Sequence, residues 1–142
     1  MAEVAGGCAC KRVRRTARAV TQLYDETLRP SGLRVTQFTL LVGVALSEPV
    51  PITRLADALS LDRTTLARDL KSLTERGLVE ITAGADRRMR LVRLTDQGRE
   101  AIGRAYPLWR QAQARILEGS GPDRWPAMAA GLEEVAALAL RS

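Results

Sequence analysis

Two short stretches of this sequence carry side chains suited to gripping a polyanion. The first, Asp62-Arg63-Thr64-Thr65-Leu66-Ala67-Arg68-Asp69-Leu70-Lys71, interleaves guanidinium, hydroxyl and ammonium groups with leucines. The second, Asp86-Arg87-Arg88-Met89-Arg90, places three guanidinium groups in five positions. A guanidinium is planar and permanently charged, and it can hold a phosphate or a guanine edge through two parallel hydrogen bonds; a threonine hydroxyl serves any base. Other chemistry lacks its residues. The chain has no histidine, which removes the Ser-His-Asp triad, the Cys-His pair and every histidine metal site. Carboxylates are scattered, no glycine-rich phosphate loop is present, and no acid–base pair falls at a spacing that would join it in one pocket. Cys8 and Cys10 have no third thiol to complete a metal site within one chain. No enzyme, cofactor or metal is expected.

The elements that would position these residues follow from periodicity. Cys10, Val13, Ala17, Val20, Tyr24 and Leu28 recur in steps of three or four, one face of a helix ending near Arg29-Pro30. A second helix is expected from a Thr36 cap to about Leu46, before Glu48-Pro49-Val50-Pro51 breaks the chain. Thr53 is the expected cap of a short helix carrying Leu55, Ala56 and Leu59. After the Ser60-Leu61 turn, Asp62 caps a longer helix that runs to Arg76 and stops at Gly77. On that helix Leu66, Leu70 and Leu73 share one side, and Thr64, Arg68, Lys71 and Ser72 project from the other. The period then shortens to two. Leu78–Thr82 and Met89–Leu94 read as strands of a hairpin with residues 83–88 at its tip. Thr95 caps a further helix through Ile116, with a bend or restart expected at Pro107, and Trp125–Leu140 makes a last alanine-rich helix.

Composition agrees with this reading. The 142 residues suit one domain with one core, and aromatic residues are only 4%, which leaves aliphatic packing to fill it. The longest apolar run, Leu40–Leu46, is far short of the roughly 20 residues of a membrane span. The N-terminal residues lack a signal peptide's apolar region, so a cytoplasmic protein without membrane contact is expected. The net charge of +6 comes from 20 Arg and 2 Lys against 16 acids, and it is unevenly spread. Residues 31–52 and 94–142 each sum to zero, so the excess lies in an N-terminal cluster and in the segment 53–93. The latter contains the short helix, the polar-faced helix and the arginine-tipped hairpin. That is the layout of a winged helix-turn-helix: the second helix of the pair fits the major groove, and a hairpin arginine fits the narrow minor groove. The expected fold is mainly α with a small β-hairpin wing.

Residues 33–98 resemble the MarR family of bacterial transcriptional regulators. Residues 52–59 and 61–68 are similar to the family's paired DNA-reading helices, and Leu73-Thr74-Glu75-Arg76-Gly77-Leu78-Val79 resembles its exit into the wing. Asp86-Arg87-Arg88, then Leu94-Thr95 and Gly98, is the strongest signature, and Tyr106-Pro107-Leu108-Trp109 with Gln113 resembles the long dimer helix. The resemblance implies that Arg88 enters the minor groove, braced by Asp86. It also implies a homodimer in which residues 9–30 and 95–142 form the dimerisation helices beside a winged-helix lobe at 33–94, all in one domain. Two such lobes would read a pseudo-palindromic operator in double-stranded DNA, with half-sites about one helical turn apart. Thr64, Thr65 and Arg68 are the base-edge candidates; Arg63, Lys71 and Arg54 are phosphate candidates, and Arg87 and Arg90 flank the wing tip. Asp69 is an acid amid this basic surface, suited to orienting a neighbouring arginine.

Three functions compete. The first is a repressor released by a small phenolic or other organic ligand held between the dimer helices and the DNA-binding lobe. The second is the same repressor switched by oxidation of Cys10. The spacing of Cys10, Arg18 and Tyr24 resembles the organic-hydroperoxide-sensing branch of the family, in which a tyrosine hydrogen-bonds the reactive cysteine. This chain departs from that branch by carrying Arg14 where a second tyrosine stands. The third is a winged-helix protein-interaction module that does not read DNA.

Overall fold

A computed structural model describes residues 7–86 and 88–141; Arg87, one of the wing-tip candidates, lies outside the described residues. Helix α1 (Ala9–Leu28) passes through a single 3-10 turn (Arg29–Ser31) to α2 (Val35–Ser47). A two-residue strand β1 (Val50–Pro51) leads into α3 (Ile52–Leu59) and α4 (Arg63–Glu75). The hairpin β2 (Val79–Ala83) and β3 (Arg90–Leu94) follows, then α5 (Asp96–Ser120) and α6 (Arg124–Leu140). The architecture is mainly helical with one small antiparallel sheet, as the periodicity predicts.

Several local expectations need correction. Thr36 does not cap α2. The helix starts one residue earlier, where the Arg34 amide donates to Gln37 Oε1 (3.2 Å) and the Val35 amide donates to Asp25 Oδ1 of α1 (2.7 Å). A carboxylate ten residues upstream supplies what a local hydroxyl was expected to supply. Thr53 likewise sits inside the first turn of α3, which begins at Ile52 behind an extended Pro51. Val50 and Pro51 do more than break the chain: they pair with Val92 and Leu91, giving a three-stranded sheet of order β1-β3-β2. Pro107 lies within α5, which neither ends nor restarts there.

The core is aliphatic. Leu28, Leu40, Leu41, Val44, Leu73 and Val92 are completely buried, and Leu55, Leu66 and Leu70 join them from the helix pair. Burial of each such side chain stabilises by about 1.5–3 kcal/mol, so α3 and α4 are clamped to α2 through their leucine faces. The turn between α3 and α4 closes with Ser60 in the left-handed region (φ 50°) and a hydrogen bond from the Leu61 amide to the Ala56 carbonyl (3.2 Å). Thr95 joins three elements: its hydroxyl donates to the Gly77 carbonyl (2.6 Å), its amide to the Leu78 carbonyl (3.2 Å), and its Oγ1 accepts from the Gly98 amide (3.0 Å). At Gly98 the backbones approach so closely that a Cβ would lie 2.1 Å from the Leu78 carbonyl oxygen. Only glycine fits that position without a shift. The wing is thereby tied to the start of α5.

The terminal helices differ. On α6 no residue is buried, and Met128, Leu132, Val135, Leu138 and Leu140 face outward. Val13 on α1 is also exposed. No helix among the described residues is long and apolar enough to cross a membrane.

Candidate nucleic-acid interface

The outer face of α4 is built from its first residue. Asp62 caps the helix through both carboxylate oxygens: Oδ1 accepts from the Thr65 amide (2.8 Å) and Oδ2 from the Thr65 hydroxyl (2.6 Å). The Thr65 hydroxyl, then its amide, hold the Asp62 carboxyl below its ordinary pKa. Thr65 therefore spends its hydroxyl proton on the cap, while Thr64 beside it is fully outward-facing. Arg63, Arg68 and Lys71 are exposed on the same side, with Lys71 Nζ 3.9 Å from Glu75 one turn on. Leu66, Leu70 and Leu73 are buried behind them. Ser72, expected outward, is half-buried: its Oγ accepts from Gln37 Nε2 of α2 (3.4 Å). The helix is polar outward and mostly apolar inward, with one polar seam toward the start of α2.

That seam contains the feature sequence reasoning treated most lightly. Asp69 is fully buried, and its Oδ1 lies 2.8 Å from Arg34 Nη2 and 3.9 Å from Arg68 Nε. The partner that matters is thus Arg34, thirty-five positions away, at the N-cap of α2. The signal was legible in part: 66, 69, 70 and 73 share one helical face, so Asp69 belongs with the leucines. What it meets there was not. A second ion pair escaped notice entirely. Glu48 accepts from the Leu94 amide (2.7 Å) and pairs with Arg99, and these bonds, Arg99 first, hold its carboxyl below the usual range. It fixes the base of β3 to α5.

At the wing, Gly84 donates to the Met89 carbonyl (2.8 Å) and Met89 donates to the Asp86 carbonyl (2.8 Å), closing the tip. Asp86 Oδ1 accepts from the Arg88 backbone amide (2.9 Å). The aspartate thus orients Arg88 through the turn's backbone, an Asx-type turn, and leaves the exposed guanidinium to project. Arg90, opposite Ala83 in the ladder, and Arg54 on α3 are also exposed.

The Cys10 and Tyr24 candidates are not brought together within the chain. Cys10 is exposed in the first turn of α1, with Cys8 half-buried at the N-cap. Tyr24 is fourteen residues along the same helix, about 21 Å at the α-helical rise. Its hydroxyl donates to Gln113 of α5, and burial raises its pKa. That contact joins the first helix to the helix carrying the Tyr106-Pro107-Leu108-Trp109 segment.

A helix pair followed by a hydrogen-bonded wing defines a winged helix-turn-helix protein. The MarR family model matches residues 31–89, which span α2, the helix pair and the wing. The structure of transcriptional regulator MosR of M. tuberculosis in complex with DNA is 42% identical, with 95% of this chain and 99% of that chain covered and a TM-score of 0.84. CouR from Rhodococcus jostii RHA1, bound to p-coumaroyl-CoA, is 28% identical over 87% of this chain and 88% of its own, with a TM-score of 0.73. An uncharacterized HTH-type regulator of Bacillus subtilis (strain 168), YwoH, is 29% identical over 86 residues, 61% of this chain and 63% of its own length. The chain thus spans less than two thirds of that curated relative. It belongs to the MarR family of transcriptional regulators, a family without enzymatic activity.

Proposed function

We propose that this protein is a dimeric repressor that binds a pseudo-palindromic operator in double-stranded DNA and is released by a small organic anion. The observation that carries DNA reading is the outward row Arg63, Thr64, Arg68 and Lys71 on a helix locked from behind by buried leucines, with Arg88 projecting from a wing beside it. Thr64, Thr65 and Arg68 are assigned to base edges, Arg63, Lys71 and Arg54 to phosphates, and Arg88 to the minor groove, with Asp86 setting its turn. Arg87 and Arg90 add wing contacts to the backbone. MosR, similar over nearly its whole length, was crystallised on DNA, which supports the reading.

The dimer assignment rests on the apolar side chains that α6 and the N-terminal half of α1 leave uncovered. Residues 9–30 and 95–142 would supply the interface, leaving 33–94 as the reading lobe. The ligand assignment rests on a cavity of about 730 Å³ between α1 and the loop before α2. Arg18, Arg29 and Arg34 line it together with Ala17 and Leu33 and outnumber its two carboxylates, Asp25 and Glu26, a setting for an aromatic or aliphatic body with a carboxylate. CouR's bound acyl-CoA shows that a relative carries an organic ligand.

Release by oxidation of Cys10 is the second reading. Its support is the exposure of Cys10 in the first turn of a helix, in a groove it shares with Arg14, Arg15 and Arg18. Against it, Tyr24 is engaged with Gln113 of its own chain. A gel shift on the protein's own upstream DNA separates the readings. Arg68→Ala and Arg88→Ala should each weaken binding by roughly 1–3 kcal/mol with unchanged circular dichroism. Benzoate-type carboxylates should release the wild type under reducing conditions; release only by hydroperoxide, abolished in Cys10→Ser, would transfer the assignment to the thiol. Normal binding by both arginine variants would overturn the contact assignments, and failure of the wild type to bind DNA would leave the protein-interaction reading in place.

A further inference from the structure

The Asp69 carboxylate lies between α4 and the start of α2 and has two cationic neighbours, Arg34 and Arg68. Oδ1 is taken by Arg34 (2.8 Å), while Oδ2 is buried and has no hydrogen-bond partner among the described residues. Arg68 Nε stands 3.9 Å from Oδ1, on a side chain that is 60% exposed and otherwise directed to the outer face of α4. We propose that two arginines compete for the Asp69 carboxylate, and that Arg34 is a positioning residue which, by holding it, keeps Arg68 free to meet DNA. This rests on the reading that Arg68 contacts the operator.

A carboxylate removed from water needs a cation or a set of donors, because its desolvation is otherwise uncompensated. Arg34 is well placed to be that cation. Its backbone amide is fixed by Gln37, the next amide by Asp25, and one turn away Gln37 reaches Ser72, so the start of α2 is held against α4 at two points. If Arg34 is lost, the nearest remaining cation is Arg68, and the free Oδ2 offers it a second bond. Arg68 is long and flexible, and folding inward requires no movement of the helix. Its guanidinium would then leave the outer face, and the protein would lose a DNA contact without losing a DNA-contacting residue.

Competition for the carboxylate and simple helix packing predict opposite outcomes for Arg34→Gln in an Arg68→Ala background: under competition it adds no further loss, under packing it costs what it costs in the wild type. Binding of wild type, Arg34→Gln, Asp69→Asn, Arg34→Gln/Asp69→Asn, Arg68→Ala and Arg34→Gln/Arg68→Ala to the upstream DNA and to random DNA would be followed by fluorescence anisotropy. Arg34→Gln should weaken binding to the upstream DNA about as much as Arg68→Ala, about tenfold, and narrow the discrimination against random DNA, as loss of a base-edge contact does. Asp69→Asn alone should stay near wild type, and adding it to Arg34→Gln should restore most of the lost affinity and the discrimination, since an amide does not capture Arg68. Should Arg34→Gln melt too low to assay, Arg34→Lys gives the same comparison, with a smaller loss that Asp69→Asn again reverses. An Arg34→Gln/Asp69→Asn variant no better than Arg34→Gln, or a further loss when Arg34→Gln is added to Arg68→Ala, overturns the proposal: the pair would then only pack α4 on α2. If Arg68→Ala is impaired and Arg34→Gln is not, this inference alone fails. If Arg68→Ala binds normally, the DNA role of Arg68 fails and takes the inference with it.

Discussion

The lobe from Leu33 to Leu94 and the terminal helices solve the burial problem differently. In the lobe the aliphatic faces of α4 and β3 find their cover within the chain: Leu66, Leu70 and Leu73 of α4 disappear against α2 and β2, and Val92 of the central strand is fully buried. Leu46 near the end of α2 stays exposed. On α6, Leu132 and Val135 remain about half exposed, and Leu138 more so. An isolated apolar helix of that kind gains little from folding, because helix stability comes mainly from tertiary packing of its apolar face. The lobe's core is closed within the chain, with help from Leu28 of α1 and Ala101 and Ala105 of α5; α6 leaves its apolar face open, and the proposed second copy would cover it.

The contrast can be broken at its strongest point first. Leu70→Ala empties a buried site in the lobe and should cost about 2–5 kcal/mol in urea unfolding. An unchanged midpoint would mean that the inward face of α4 is misassigned. Next, Leu132→Glu with Val135→Glu places charge on the uncovered face. It should raise the dimer dissociation constant at least tenfold, or about 1.4 kcal/mol, in sedimentation at micromolar concentration. A dimer of unaltered strength would remove α6 from the interface. The smallest effect concerns acid. Glu48 has a lowered pKa in the fold, so its contribution is present above its unfolded value, near 4.3, and fades as pH falls through the folded value. Thermal melts at pH 5 and pH 3 should therefore differ less in Glu48→Gln than in the wild type; an equally steep dependence would assign the acid sensitivity elsewhere.

The legible parts of this protein were those set by neighbours in the chain. Asp62 caps α4 because a carboxylate three residues before an amide reaches it in a helical turn, and Thr95 caps α5 in the same way. The Ser60 turn, the left-handed Gly77 and the hairpin between residues 79 and 94 follow from equally short rules. The failures share a cause. Thr36 and Thr53 were assigned caps on local grounds, yet Asp25 from another helix serves the start of α2, and Pro51 precedes α3.

The sequence by itself determined the helix pair, the arginine-tipped wing and the outward row on α4, because helical and strand periods fix which side chains share a face. Only the tertiary structure decided which groups meet across elements. Val50 became a strand when β3 came alongside it, Ser72 turned half inward to accept from Gln37, and Asp69 found Arg34. The physical reason is range: a cap or a period acts over a few residues, whereas a buried charge or an unpaired strand edge is satisfied by whatever the folded chain brings within about 3 Å.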